Sequence, residues 1–216
     1  MTQKIFWENP YQDTCTAKIT SIEGKKIKID RTVFFACSGG QESDEGTIAG
    51  IKVVNAVKLG DKESIIDIEY ELEIEPILKI GDDVSVHIDI EKRKKLMRLH
   101  SAAHIAYYFM LEKLGKFKII GSNIGQDKAR VDFLYDTPVT DVLPEIEAKL
   151  NSFLSENQHI IMAPDPAKPD LRWWCCGEWK MPCGGTHVKN TGEIRTIELK
   201  RKNIGAGKER VEIYLK

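Results

Sequence analysis

The sequence predicts two domains of different class: a β-barrel over residues 1–90 and an α+β domain over residues 91–216. Three features carry this. Short apolar–polar alternations broken by Gly and Asp fill the first part. At Glu91 the spacing of apolar residues changes to the period of a helix. Beyond that helix, strand-like and helix-like segments follow one another. The chain has 216 residues, 42% hydrophobic and 30% charged, which supplies both a core and a solvated surface.

Residues 18–30 alternate around Ile19, Ile22, Ile27 and Ile29 and turn at Glu23-Gly24-Lys25, the pattern of two strands and a tight connection. Residues 32–36 are a further short apolar run, read as a strand. Residues 48–57 and 64–74 also read as strands. In the second, Ile65, Ile66, Ile68, Tyr70, Leu72 and Ile74 put most apolar residues on one face. Residues 84–90 alternate with Val84, Val86, Ile88 and Ile90 on one side. Several short strands of this kind suggest a small barrel. Residues 91–114 carry strong helix formers, with Gly115 as the stop. Strands are expected over 119–134, around Asn123-Ile124-Gly125. A second helix is expected over 142–157, with Pro144 near its first turn and Val142, Ile146, Leu150, Phe153 and Leu154 as its apolar positions. Pro164, Pro166 and Pro169 mark a loop, and strands are expected over 194–200 and 211–215.

No apolar run approaches the roughly 20 residues that span a bilayer, and residues 1–10 lack a basic-then-apolar signal pattern. The expectation is a soluble cytoplasmic protein with no membrane partner. The net charge of −1 excludes a global attraction to nucleic acid. Local basic runs stand at Lys92-Arg93-Lys94-Lys95 with Arg98, and at Lys200-Arg201-Lys202 with Lys208 and Arg210. Each is a candidate for phosphate contact or an ordinary solvated face. Five cysteines are an odd number in a chain too long to need disulfide staples, so metal binding, catalysis or packing in a reduced compartment is the simpler reading.

His100 and His104 are four apart on the expected helix, which stacks both imidazoles on one face as a shared metal requires. Cys183 and His187 repeat that interval across Gly184-Gly185, a loop able to approach a ligand closely. Three imidazoles and a thiolate suit one zinc ion per chain. Ser101 stands after His100, so the His-Glu-x-x-His protease pattern is absent. Four protein ligands close a tetrahedral zinc and favour a structural role. A catalytic role then needs a ligand that leaves, an expanded coordination, or a zinc that positions substrate while another group activates water.

Further motifs stand in order. Phe34-Phe35-Ala36-Cys37-Ser38-Gly39-Gly40-Gln41 is followed by Asp44 and Gly46, and Gly121-Ser122 by Arg130-Val131-Asp132-Phe133. Cys183-Gly184-Gly185-Thr186-His187-Val188 is followed by Thr191-Gly192-Glu193-Ile194, and Gly205-Ala206-Gly207 by Arg210-Val211-Glu212. Together with the two histidines, this ordered set resembles the editing domain of alanyl-tRNA synthetase and its free-standing relatives of the AlaX type. The resemblance implies a barrel like those of translation factors, then an α+β domain shared with threonyl-tRNA synthetase. It implies hydrolysis of the ester joining serine or glycine to alanine tRNA, acting in trans on mischarged tRNA(Ala) without ATP, because no length remains for an aminoacylation core. One departure is visible. Many synthetase editing domains carry Gln just before the Gly-Ser step, where this chain has Ile119-Ile120.

Ester hydrolysis needs an activated water and a stabilised oxyanion. His187 is the ligand expected to leave the metal and act as base. Thr186 is a candidate for reading a serine hydroxyl, or else a turn threonine. Gly39, Gly40 and Gln41 approach substrate or the tRNA end, or form a tight turn. Gly205 and Gly207 offer amides to phosphates or turn a hairpin, and Arg210 pairs with a phosphate or within the protein. Asp132 supports a zinc histidine or lies at the surface. Trp173-Trp174 stacks on a terminal adenine or packs. The alternative to a hydrolase is a tRNA-binding module with structural zinc and no chemistry.

Overall fold

A computed structural model describes residues 1–60, 65–168 and 170–216. It divides into two compact units, Met1–Ser38, Glu42–Lys94 and Pro164–Arg172 forming one, Gly39–Gln41, Lys95–Ala163 and Trp173–Lys216 the other.

The first unit holds β1 (Gln3–Lys4), α1 (Ile5–Glu8), β2 (Thr14–Glu23), β3 (Lys26–Ile29), β4 (Arg31–Thr32), β5 (Gly46–Ile48), β6 (Ile51–Gly60), β7 (Ile65–Leu72) and β8 (Asp83–Ile88). β2, β3, β7, β6, β5 and β8 pair antiparallel in that order, and β8 pairs back onto β2 to close a barrel. The alternation in the sequence explains the filling: Ile19, Ile27, Ile29, Ile48, Ile68, Leu72 and Val86 are buried inside.

Three expectations are corrected here. The run 48–57 is two strands, because Ala49 (φ 53°) and Gly50 (φ 75°) take the left-handed conformations that a two-residue hairpin demands. Apolar alternation continues through the turn and hides it. Residues 33–36 are buried but unladdered, since β4 ends at Thr32. The Phe34 N–H donates to Thr32 Oγ1 (2.9 Å) and the Phe35 N–H to Asp44 Oδ2 (2.7 Å), so side chains replace a neighbouring strand. β7 ends at Leu72 and leaves Ile74 exposed; residue 64 of that expected strand lies outside the described residues.

Lys92 and Arg93 of the first basic run are engaged internally, whereas Lys94 and Lys95 are exposed. Lys92 Nζ lies 2.7 Å from Glu45. Arg93 is fully buried, with Nε on Asp44 Oδ1 (2.8 Å), Nη2 also on Asp44 and on the Val33 carbonyl (2.7 Å), and Nη1 on the Pro10 carbonyl (3.0 Å). A guanidinium so enclosed needs its carboxylate. Asp44→Ala is expected to cost about 3–5 kcal/mol, read as a lower urea midpoint at constant slope. A loss below about 1 kcal/mol would mean that the guanidinium regains water.

The second unit takes most of α2 (Ile90–Leu114), then β9 (Lys118–Ile124), β10 (Ala129–Leu134), α3 (Leu143–Ser155), β11 (Ile160–Pro164), β12 (Arg172–Cys176), β13 (Trp179–Pro182), a 3-10 turn (Thr191–Ile194), β14 (Ile197–Asn203) and β15 (Lys208–Leu215). Gly115 stops α2 with φ 76°. One antiparallel sheet runs β14-β15-β10-β9. Its β14 edge is covered by α3: Asn151 bonds both the carbonyl (3.0 Å) and N–H (2.9 Å) of Ile197, and Glu147 accepts the Leu199 N–H (2.8 Å). A second sheet, β11-β12-β13, was not expected; it flanks the expected proline loop, with Pro164 ending β11, Pro166 in the connection to β12, and residue 169 outside the described residues. Ile194 belongs to the 3-10 turn rather than to a strand, because Asn190 and Glu193 form a capping box there. No helix among the described residues is long and apolar enough to cross a membrane.

Candidate metal centre

His100, His104, Cys183 and His187 converge in the second unit, their ligand atoms all within 4.8 Å of one another. α2 presents the first two one turn apart, their rings edge to face at 4.8 Å. The loop after β13 supplies the other two. It is pinned just beyond His187 by the capping box, where Glu193 accepts the backbone N–H groups of Lys189 (3.1 Å) and Asn190 (3.0 Å). Cys183 Sγ faces His100 Nε2 at 3.5 Å and His187 Nε2 at 3.3 Å. Gly185 must be glycine: a Cβ there would sit 2.3 Å from His100 Cε1.

Hydrogen bonds set the tautomers. The Thr186 N–H donates to Gln41 Oε1 (3.0 Å), which fixes the orientation of that amide. The same oxygen lies 2.7 Å from His100 Nδ1, so Nδ1 carries the proton and Nε2 turns its lone pair to the cluster. Gln41 Nε2 donates to Thr186 Oγ1 at 2.9 Å. Ser101 Oγ accepts the Val188 N–H (3.3 Å) and lies 3.1 Å from His187 Nδ1. His104 packs edge-on against Trp174 at 4.9 Å, and its Nδ1 is buried without a hydrogen-bond partner among the described residues.

Burial holds all three rings neutral. It pushes His100 down to about 3 and His104 and His187 well below 6.5, the latter two also through their histidine neighbours. Neutral imidazoles, a nearby sulfur and an orphaned ring nitrogen are what a single metal ion requires and satisfies. The same burial makes the metal-free chain acid-sensitive. A ring neutral in the fold but free to charge when unfolded costs nothing above pH 6.5, and destabilises as pH falls below it. From about pH 7.5 to about 5.5 the loss is roughly 1.4 kcal/mol per ring and roughly 4 kcal/mol for the three. Urea unfolding in chelator is expected to show it; a flat response would mean that the folded chain carries charged rings.

The structure distributes the other expected residues unevenly. Gln41 and Thr186 join the cluster, and both are buried. Gly40 (φ 86°) lies against Ser122, where a Cβ would be 2.8 Å from the Ser122 carbonyl oxygen; Gly39 (φ 60°) has open space. Gly205 (φ 122°) and Gly207 (φ 66°) turn the β14–β15 hairpin. Arg210 pairs within the protein, with Nε and Nη2 on Asp132 at 2.7 and 2.8 Å. Asp132 therefore faces Arg210 and Arg130 and not a histidine. His187 has Nδ1 at 3.1 Å from Ser101 Oγ and turns Nε2 towards Cys183 Sγ. Trp174 is packed away at 0% exposure rather than offered for stacking. Arg98 of the first basic run donates to the Ile194 carbonyl (2.8 Å). Two contributions were not foreseen: Ser101, read only as the residue that rules out a protease motif, and the bridging position of Gln41.

A family model described as the threonyl and alanyl tRNA synthetase second additional domain matches residues 174–212, the stretch that carries Cys183 and His187. Along its whole length the chain is 32% identical to the alanyl-tRNA editing protein AlaX-M of Pyrococcus horikoshii, covering 98% of that protein. It is also 32% identical to the AlaX-M protein of Methanosarcina mazei, with 100% of this chain and 97% of the relative covered. The alanine–tRNA ligase of Methanococcus vannielii is 33% identical over 98% of this chain, which matches 26% of the ligase.

Proposed function

The chain belongs to the alanyl-tRNA editing proteins of the AlaX type, a family of aminoacyl-tRNA hydrolases, and we propose that it deacylates mischarged tRNA(Ala) in trans, at one zinc ion held by His100, His104, Cys183 and His187. In this reading residues 1–90 are a translation-factor-like barrel domain, residues 91–216 the editing domain, and the protein works in the cytoplasm, where charged tRNA is used. The observation that carries the reading is one buried amide, Gln41, which holds both a metal ligand, His100, and the hydroxyl-bearing neighbour of another, Thr186.

Zinc bound there supplies a fixed positive charge that polarises an ester carbonyl or a water. The chain's own groups supply the orientation. Gln41 and Ser101 lock the His100 and His187 rings with Nε2 inward. Thr186 Oγ1 already accepts from Gln41, so its own proton is free to donate, and a serine hydroxyl is the partner it fits. A site built to pair a hydroxyl rejects substrates that lack one. This makes seryl-tRNA(Ala) the principal substrate. Glycyl-tRNA(Ala) is taken only as far as the missing methyl group is sensed.

The test is deacylation of seryl-, glycyl- and alanyl-tRNA(Ala), with zinc content measured on the same sample. Fast loss of serine with alanine spared supports the reading. Absence of hydrolysis at full zinc occupancy overturns it and leaves a tRNA-binding module with structural zinc. Thr186→Val removes the discriminating hydroxyl and leaves Gln41 Nε2 unpaired. At roughly 1.5 kcal/mol for the one bond lost to the serine hydroxyl, kcat/KM for seryl-tRNA(Ala) is expected to fall about 10-fold. Alanyl-tRNA(Ala) should be unaffected and Thr186→Ser should restore the rate. Equal losses on serine and alanine substrates would remove Thr186 from the selection.

A further inference from the structure

One outer face of the β14-β15-β10-β9 sheet collects positive charge from separate parts of the sequence. Register places Lys202, Arg210 and Asp132 in one row, and Lys200, Glu212, Arg130 and Asn123 in the next. Strand alternation puts both rows on the same side, opposite the buried Leu199, Ile213 and Val131. The basic heads are held on carboxylates that are themselves mostly covered. Arg210 and Arg130 grip Asp132, and Lys128 reaches Glu212 at 2.6 Å. Lys200, half exposed, reaches Glu198 at 3.2 Å and lies over the Tyr214 ring, and Lys202 is exposed beside Arg210. Cations outnumber carboxylates on this face of a chain whose net charge is only −1. The first basic run offers no such surface, because Lys92, Arg93 and Arg98 are engaged internally.

The face also leads to the metal centre. Asn123, beside Arg130, donates through Nδ2 to the Gly40 carbonyl at 3.3 Å, and the next residue is Gln41, on His100. We infer that this sheet face docks the sugar–phosphate backbone of the substrate's acceptor stem. The inference rests on the reading that the scissile ester is carried by an RNA. A-form RNA is gripped chiefly through its phosphates and 2′-hydroxyls, and a rigid lattice of cations pre-set by buried acids suits that grip with little ordering cost.

The test reads binding, not turnover. The full chain is titrated into fluorescently labelled uncharged tRNA over a range of salt concentrations, with circular dichroism on each variant. The double variant Lys200→Glu, Lys202→Glu is expected to weaken binding on the order of tenfold or more, and to lower the slope of log affinity against log salt by about 2. Lys200→Gln with Lys202→Gln should give a smaller loss in the same direction. Lys95→Glu, an exposed lysine of the first run, should change neither quantity. Unchanged affinity and slope in the double variants, an equal loss in Lys95→Glu, or a wild-type chain that does not bind tRNA overturns the inference. A chain that binds through this face but hydrolyses nothing supports it while sinking the hydrolase reading.

Discussion

Cys183→Ala is expected to empty the metal centre and end deacylation together. Of the four ligands, the thiolate is the only one that brings negative charge, since burial keeps the three imidazoles neutral. Without it three neutral imidazoles remain and water must take the fourth position, so the ion loses both a donor and its one anionic protein ligand. Zinc content should fall from about one per chain to less than about a tenth, and turnover by at least about 10³-fold. A readout independent of activity is available. Zinc at about a thousand times its dissociation constant stabilises the wild type by roughly 4 kcal/mol, so chelator should lower the wild-type melting temperature and leave that of Cys183→Ala unmoved. The variant should stay folded at about pH 7.5, above the window in which neutral rings destabilise. Cys183→Asp restores an anionic donor and should recover part of the metal. Zinc at full occupancy in Cys183→Ala, with turnover intact, would remove the cluster from the reaction.

The four clustered residues were legible because each pair is local. His100 and His104 are one helical turn apart, and Cys183 and His187 share a short glycine loop, so the two spacings together point to a shared centre. One strand break was legible only to conformation: Ala49 gives no sign in the sequence of its positive φ. Gln41 was visible as part of a glycine-rich segment, yet its partners lie 59 and 145 residues away. No periodicity reports such a pairing. The same holds for Arg93, which sits in a run of four basic residues that reads as a solvated face. It is buried because one acid, Asp44, lies 49 residues earlier in the chain at the right depth. Arg210 and Asp132 illustrate the converse. Arg210 was a candidate for a phosphate and Asp132 for a zinc histidine, and cross-strand register pairs them with each other. The sheet β11-β12-β13 was missed although the proline loop inside it was legible, because the Trp-Trp-Cys-Cys run shows no apolar–polar alternation to mark it as a strand.

Gln41 carries the second large effect, and its two functions can be separated. Gln41→Leu keeps the volume and removes every bond. It leaves the His100 Nδ1–H, the Thr186 N–H and Thr186 Oγ1 unpaired in a buried place, at a cost of about 1–3 kcal/mol for each group that finds no water. Loss of a partner to a metal-bound histidine alone typically lowers metal affinity or activity 10- to 100-fold. With Thr186 also released, kcat/KM for seryl-tRNA(Ala) is expected to fall by about 10² to 10³. Gln41→Glu divides the effect. Its carboxylate still accepts from His100 and from the Thr186 N–H, so zinc should be retained, but it has no N–H to give Thr186 Oγ1. The Thr186 proton then turns to the carboxylate instead of the substrate, and preference for serine over alanine should collapse while zinc occupancy stays near one. Zinc titrations and paired seryl and alanyl rates on both variants read the two functions independently. If Gln41→Glu keeps its selectivity, the amide serves the metal alone, and the hydroxyl of Thr186 is oriented by something other than Gln41.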